Sequence, residues 1–150
     1  GIVGGSSITF PQLEGFEYQE GMILSPEGKC KSFDYKADGI VSGNGIGSIL
    51  LMSKDEAEKN GFPILALIKG SAINNDGNNK ASYHSGNIIQ HTQVIKKALY
   101  RSGLKTVDYV EAHGAGTALG DLIEVSAFVE AYGKDCELIL GSVKSNIGHT

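Results

Sequence analysis

The segment that most constrains the fold is Tyr109 to Thr117, which reads Tyr-Val-Glu-Ala-His-Gly-Ala-Gly-Thr. Tyr109 and Val110 are typical of the end of a buried strand, and an apolar helical pattern follows Thr117. Ligands and catalytic groups of α/β folds lie where strands end. The pattern therefore predicts that His113 is presented at the edge of a sheet. Taken alone, the segment is equally compatible with a buried histidine that bonds a neighbouring backbone group.

A second segment of the same kind closes the sequence. Leu138 to Leu140 read as a buried strand, and the polar run Gly-Ser-Val-Lys-Ser-Asn-Ile-Gly-His-Thr follows from Gly141 to Thr150. Two strand-and-loop units that each deliver one histidine are hard to explain by packing. We therefore expect His149 to join His113 at one site.

The remaining pattern alternates strands with helices, which indicates an α/β layered domain. Apolar spacing predicts helices over 87–101 and 117–132, with Leu119, Ile123, Ala127 and Val129 of the second helix packing inward. Ser53 and Glu56 predict a capping box that starts a short helix, Lys54 to Lys59. Buried strands are predicted over 48–52, 64–73, 106–110 and 137–140. The glycines Gly43, Gly45 and Gly47 precede a strand and not a helix, which favours close backbone approach over a phosphate loop.

The histidine segments resemble a known pair of motifs. Glu111-Ala-His-Gly-Ala-Gly-Thr117 and Lys144-Ser-Asn-Ile-Gly-His-Thr150 resemble the two histidine motifs of β-ketoacyl synthases. The resemblance extends along nearly the whole chain, through Cys30–Asp34 and Asp38–Gly47, and it is greatest to ketosynthase domains of modular type I polyketide synthases. It implies an incomplete thiolase-like αβαβα fold, with residues 1–63 ending an N-terminal half and residues 64–150 starting a C-terminal half.

The resemblance also implies roles for individual residues. His113 and His149 would be catalytic donors to a thioester oxygen, and Lys144 would orient them through a carboxylate beyond Thr150. Thr117 and Ser85 would contact the phosphopantetheine arm of the substrate. The sequence departs from the family pattern at several positions. Asn44 stands in place of an acidic residue, and His84 and Gly86 change a Thr-Ala-Pro stretch. Ala115 stands in place of a threonine and Leu122 in place of a proline. His84 and His91 are interpreted as solvated histidines.

The implied activity is the decarboxylative Claisen condensation of an acyl-cysteine with a malonyl-type extender. The nucleophilic cysteine of the family lies in an Ala-Cys-Ser-Ser type motif, which is absent here; we expect it upstream of Gly1. Residues 1–150 alone are therefore expected to be inactive. Two alternatives stay open: a non-condensing partner of chain-length-factor or gatekeeping type, and a condensing domain of fatty-acid synthase.

Composition excludes several other classes of protein. The net charge is −4 without a basic cluster, which argues against nucleic-acid binding, and no apolar run is long enough to span a membrane. The two cysteines have no metal-site spacing, so no metal and two reduced thiols are expected. The resemblance implies no directly bound cofactor, an acyl carrier protein as partner, acyl and malonyl-type thioesters as substrates, a cytoplasmic location and a homodimer.

Overall fold

The structure is a computed structural model and describes residues 1–12, 14–78 and 86–150. Strands and helices are mixed along the chain, as expected for an α/β domain, but they alternate strictly only from α2 onward. They are β1 (Ile2–Ser7), β2 (Gly45–Leu50), α1 (Lys54–Lys59), α2 (Ile88–Ser102), β3 (Tyr109–Glu111), α3 (Ala118–Tyr132), β4 (Ile139–Gly141) and α4 (Lys144–Ile147). Within these ranges, no helix has the length and apolar character needed to cross a bilayer.

Two strand pairs organise the chain. β1 and β2 are antiparallel, with Ile2 opposite Leu50, and β3 and β4 are parallel, with Glu111 opposite Gly141. Parallel strands end at the same edge of a sheet. The two loops that carry His113 and His149 therefore leave from adjacent points.

Side-chain caps begin the first two helices, and a glycine ends the second. The Ser53 hydroxyl accepts a hydrogen bond from the Glu56 amide at 3.3 Å, which confirms the N-terminal cap of α1. The Asn87 side chain caps α2, and Gly103 ends that helix at a φ of 72°. Both long helices lie within one residue of their predicted bounds.

The strand predictions were less accurate. The strand predicted over 64–73 is wrong, because this segment forms no strand pairing in the described part of the chain and leaves Leu65 97% and Ile73 87% exposed. An apolar run indicates burial but does not supply a partner for its backbone groups. The three other predicted strands are shifted or shortened, and β2 lies on an exposed surface where burial was predicted.

The small core lies where α3 packs under the loop that follows β3. Its most buried apolar residues there are Ala112, Ala115, Ile123 and Ala127, whereas Leu119 and Val129 remain exposed, contrary to the predicted inward stripe. The chain exposes 11064 Å² of surface. A compact monomer of this mass would expose about 7,300 Å². Much apolar surface is therefore left uncovered on the strands, while the His113 loop packs on α3.

Candidate active site

His113 leaves β3 on a loop that is fixed by a buried carboxylate. The amide of Ala112 continues the strand pairing by donating to the carbonyl of Gly141 at 2.8 Å. The two oxygens of Glu124 then accept the amides of His113 and Gly114 at 2.7 and 2.8 Å. Glu124 is only 8% exposed, so this pair of hydrogen bonds is shielded from water. It determines the direction in which the loop leaves the strand.

Gly114 is required by its conformation and by its neighbours. Its φ is 45°, in the left-handed region that side chains disfavour. A Cβ atom at this position would lie 2.6 Å from the Cβ of Ser142 and 2.9 Å from the Phe33 ring. Both facts explain why a glycine directly follows the histidine.

We expect Gly114→Ala to lower the free energy of unfolding by about 2–4 kcal/mol, from backbone strain and overpacking together. Urea unfolding of the protein that contains this chain would measure the change. Gly47→Ala is the matched control, because no atom lies within 4 Å of its added Cβ and its φ is not positive. A Gly114 variant as stable as the Gly47 variant would contradict this explanation.

A different part of the chain holds His149. Its amide donates to the carbonyl of Val41 at 2.7 Å, and its carbonyl accepts the amide of Gly43 at 2.9 Å. A Cβ atom on Gly43 would overlap the carbonyl oxygen of Ile147, just before the histidine. The interpretation of the glycine run as a site of close backbone approach is therefore confirmed at Gly43.

The two imidazole rings meet at the wall of one cavity. Their centroids lie 5.2 Å apart and the rings are nearly perpendicular, at 80°. The cavity has a volume of about 770 Å³. Its lining also includes Thr117 and Ala115, with apolar side chains from two segments: Met22, Ile23, Leu119 and Ile123. The cavity therefore combines a polar part, to which both histidines belong, with an apolar part.

The electrostatics around His113 favour the neutral ring. Desolvation by the surrounding protein lowers the pKa of His113 below its usual value of 6.5, and the neighbouring Lys144 and His149 lower it further. Glu124 and Asp121 act in the opposite direction but do not reverse the shift. Because the depressed pKa belongs to the folded state, folding favours the deprotonated ring. The associated stability is complete above the unfolded-state pKa and declines as the pH falls below it.

Lys144 does not line the cavity of the histidines. It begins α4 and lines a neighbouring cavity of about 390 Å³, together with residues of the 28–31 turn. Among the described residues its Nζ has no hydrogen bond or ion pair. Its charge nevertheless acts on both His113 and Glu111. Lys144 therefore acts on His113 through the electric field of its charge and not through direct contact.

Lys144→Gln is expected to raise the pKa of His113 toward its ordinary value, because a positive neighbour disfavours imidazolium. Proton NMR of the ring Hε1 signal across a pH titration would measure it. Lys134→Gln is the control, since Lys134 does not contribute to the pKa of His113. An unchanged His113 pKa in the Lys144 variant would contradict the assigned field.

The loop from Cys30 to Asp34 holds the His113 loop and the start of α3 by hydrogen bonds. The Cys30 thiol donates to the carbonyl of Ala115 at 3.2 Å, and the Ser32 hydroxyl donates to the carbonyl of Gly114 at 2.5 Å. The amide of Phe33 donates to buried Asp121 at 2.7 Å. Cys30 is thus a structural thiol, and the carboxylates of Asp121 and Glu124 anchor the loops around His113.

Thr117 and His91 can also be placed. Thr117 precedes α3, lines the cavity and makes no side-chain capping bond. Ser85 and His84 lie outside the described residues. His91 is half-buried and lines the same cavity as the two catalytic candidates, so its interpretation as a solvated residue was incomplete. Its position on the polar side of α2 gave no signal for this location.

Comparison with known proteins identifies the family to which the chain belongs. Residues 1–57 match the family model of the β-ketoacyl synthase N-terminal domain, and residues 65–150 match that of the C-terminal domain. The chain belongs to the β-ketoacyl synthase family. The predicted division at residues 63 and 64 stays a prediction.

Polyketide synthases are among the relatives of this ketosynthase chain. It is 47% identical over 156 residues to the spectinabilin polyketide synthase system protein NorC of Streptomyces orinoci, covering 99% of this chain and 7% of that protein. It is 40% identical over 154 residues to the polyketide synthase PksN of Bacillus subtilis, covering 99% of this chain and 3% of the relative. The prediction of a ketosynthase of polyketide type is confirmed.

Solved structures agree with the fold prediction. Ketosynthase twelve of the bacillaene polyketide synthase from Bacillus amyloliquefaciens is 38% identical and superposes with a TM-score of 0.92. The match covers 99% of this chain and 28% of that one. The thiolase-like α/β fold predicted from the sequence is therefore confirmed, over a little more than a quarter of the ketosynthase chain.

Proposed function

We propose that this chain provides the two histidine loops of a ketosynthase that catalyses decarboxylative condensation in polyketide synthesis. The observation that carries the proposal is the pair of imidazoles, 5.2 Å apart on the wall of one cavity. Membership of the β-ketoacyl synthase family supports the reaction class.

The proposed reaction has a defined electron balance. The bond between the extender and its carboxylate breaks, carbon dioxide leaves, and the electron pair becomes an enolate on the extender thioester. The enolate carbon attacks the acyl carbonyl, the new carbon–carbon bond forms, and the acyl thioester bond breaks to return a cysteine thiolate. The cysteine belongs, in this proposal, to a part of the ketosynthase outside residues 1–150.

The histidines act where negative charge develops. Nδ1–H or Nε2–H groups of His113 and His149 donate to the extender thioester oxygen, and each donor of this kind is worth about 3–4 kcal/mol in the transition state. A depressed His113 pKa supports a neutral ring that donates through one nitrogen. Lys144 maintains that state through its positive charge.

The substrate is proposed to arrive on the phosphopantetheine arm of an acyl carrier protein. Thr117 lines the same cavity as both histidines, and in this proposal its hydroxyl bonds the amides of the arm. Ala115 lines the same wall without a hydroxyl. The proposal includes Ser85 as a second hydroxyl, a homodimer for the full domain and a cytoplasmic location.

A condensation assay with the full-length protein tests this function. Acyl-loaded protein and a malonyl-type extender on its carrier protein should yield a β-ketoacyl product and one carbon dioxide per product, as measured by mass spectrometry and carbon dioxide release. Acyl binding without carbon dioxide release or product would assign the protein to the non-condensing partners instead.

A further inference from the structure

Glu111 connects the starting points of the two histidine loops. It is the last residue of β3 and lies opposite Gly141, the last residue of β4. One of its carboxylate oxygens accepts the amide of Val143 at 2.7 Å. The other accepts the hydroxyl of Tyr109, on its own strand. The side chain therefore crosses from the His113 strand to the segment that leads to His149.

Beyond the strand pairing that ends at Gly141, few contacts of the described residues hold the start of α4. Val143 directly precedes α4, a helix of one turn from Lys144 to Ile147 without a side-chain cap. Downstream, His149 is fixed by the backbone of Val41 and Gly43. Upstream, two side chains of the described residues hold the start of the segment. One is Glu111, and the other is the Ser142 hydroxyl, which donates to carbonyls of the His113 loop and accepts the amide of Lys144.

We propose that Glu111 is a positioning residue that sets the distance between the His113 and His149 rings by holding the start of α4 to the end of β3. This inference rests on the proposed condensation function for its catalytic consequence. The contacts that carry it are independent of that function.

The carboxylate geometry predicts how substitutions differ. Glutamine keeps an acceptor oxygen for Val143 and an amide group that can donate to the Tyr109 hydroxyl, so both connections survive without the charge. Aspartate keeps the charge, but its carboxylate is one methylene shorter and does not reach the Val143 amide. Alanine removes both connections. The positioning role therefore predicts that Glu111→Gln keeps the start of α4 in place, whereas Glu111→Asp and Glu111→Ala do not.

The first test is structural and does not depend on catalysis. Hydrogen exchange in the full-length protein should be about 10-fold or more faster at the Val143 amide in Glu111→Ala and Glu111→Asp than in wild type, the scale of one lost charge-assisted hydrogen bond. Glu111→Gln should exchange within about 3-fold of wild type. Glu137→Ala is the matched control, since the exposed Glu137 carboxylate makes no hydrogen bond or ion pair with the described residues. Unchanged exchange at Val143 in both short variants would overturn the positioning role.

The second test is kinetic and uses the same variants. Extender decarboxylation should show a kcat about 10-fold lower in Glu111→Ala and Glu111→Asp, an unchanged KM for the carrier-bound extender, and recovery in Glu111→Gln. Acyl loading should be unaffected, because it does not use the second histidine loop. Equal loss of loading and decarboxylation would indicate a general folding defect and overturn the positioning role. A wild-type protein that never decarboxylates would refute the proposed function, while the exchange test would still decide whether Glu111 holds the start of α4.

Discussion

Replacement of His113 by alanine is expected to slow extender decarboxylation by about 100- to 1,000-fold, the effect of removing one donor to a developing oxyanion. Acyl loading of the cysteine should persist, because the enolate forms only in the later step. Loading is measured by mass spectrometry of the acyl-enzyme and decarboxylation by release of labelled carbon dioxide, both with the full-length protein.

A second variant at the same position separates a hydrogen-bond donor from a general base. His113→Asn keeps an N–H group near the ring position but has no basic nitrogen. The donor role predicts that asparagine restores part of the decarboxylation rate lost in the alanine variant. Equal rates for the two variants, or a wild-type rate for His113→Ala, would contradict that role.

The second large effect is expected at Glu124. Glu124→Ala would leave the amides of His113 and Gly114 without their acceptor in a shielded site, and each orphaned group costs about 1–3 kcal/mol. We therefore expect the free energy of unfolding to fall by about 2–5 kcal/mol, as measured by urea denaturation of the ketosynthase that contains this chain.

The helix that carries Glu124 also provides a control. Glu130 lies on the exposed surface of α3, so Glu130→Ala should change stability by no more than about 0.5 kcal/mol. If the Glu124 variant were as stable as the Glu130 variant, the carboxylate would not be what fixes the His113 loop. Decarboxylation should fall with stability in the Glu124 variant, because the histidine loses the anchor of its own amide.

The sequence predicted those features that depend on local pattern. The helices α2 and α3 have apolar spacing and terminal residues that specify them within the chain segment itself, such as Asn87 and Gly103. His113 and His149 could be placed together because both follow strands, and parallel strands end at one edge. The motif resemblance gave the family from the same residues.

Features that depend on distant partners could not be predicted in this way. The apolar run over 64–73 indicated a strand, yet strand formation needs a pairing segment that the run does not reveal. Glu111 reaches Val143 across 32 positions of sequence, and no spacing rule connects them. The position of His91 on the polar side of α2 predicts exposure to solvent, whereas His91 lines the cavity together with residues of α3.

The most direct test of the central claim is a crystal structure of the complete ketosynthase with a non-hydrolysable malonyl-thioester analogue. We predict that one ring nitrogen of His113 and one of His149 each lie about 2.7–3.1 Å from the thioester oxygen of the analogue. An analogue whose oxygen contacts only one of the two rings, or is held by other donors, would contradict the paired-donor role.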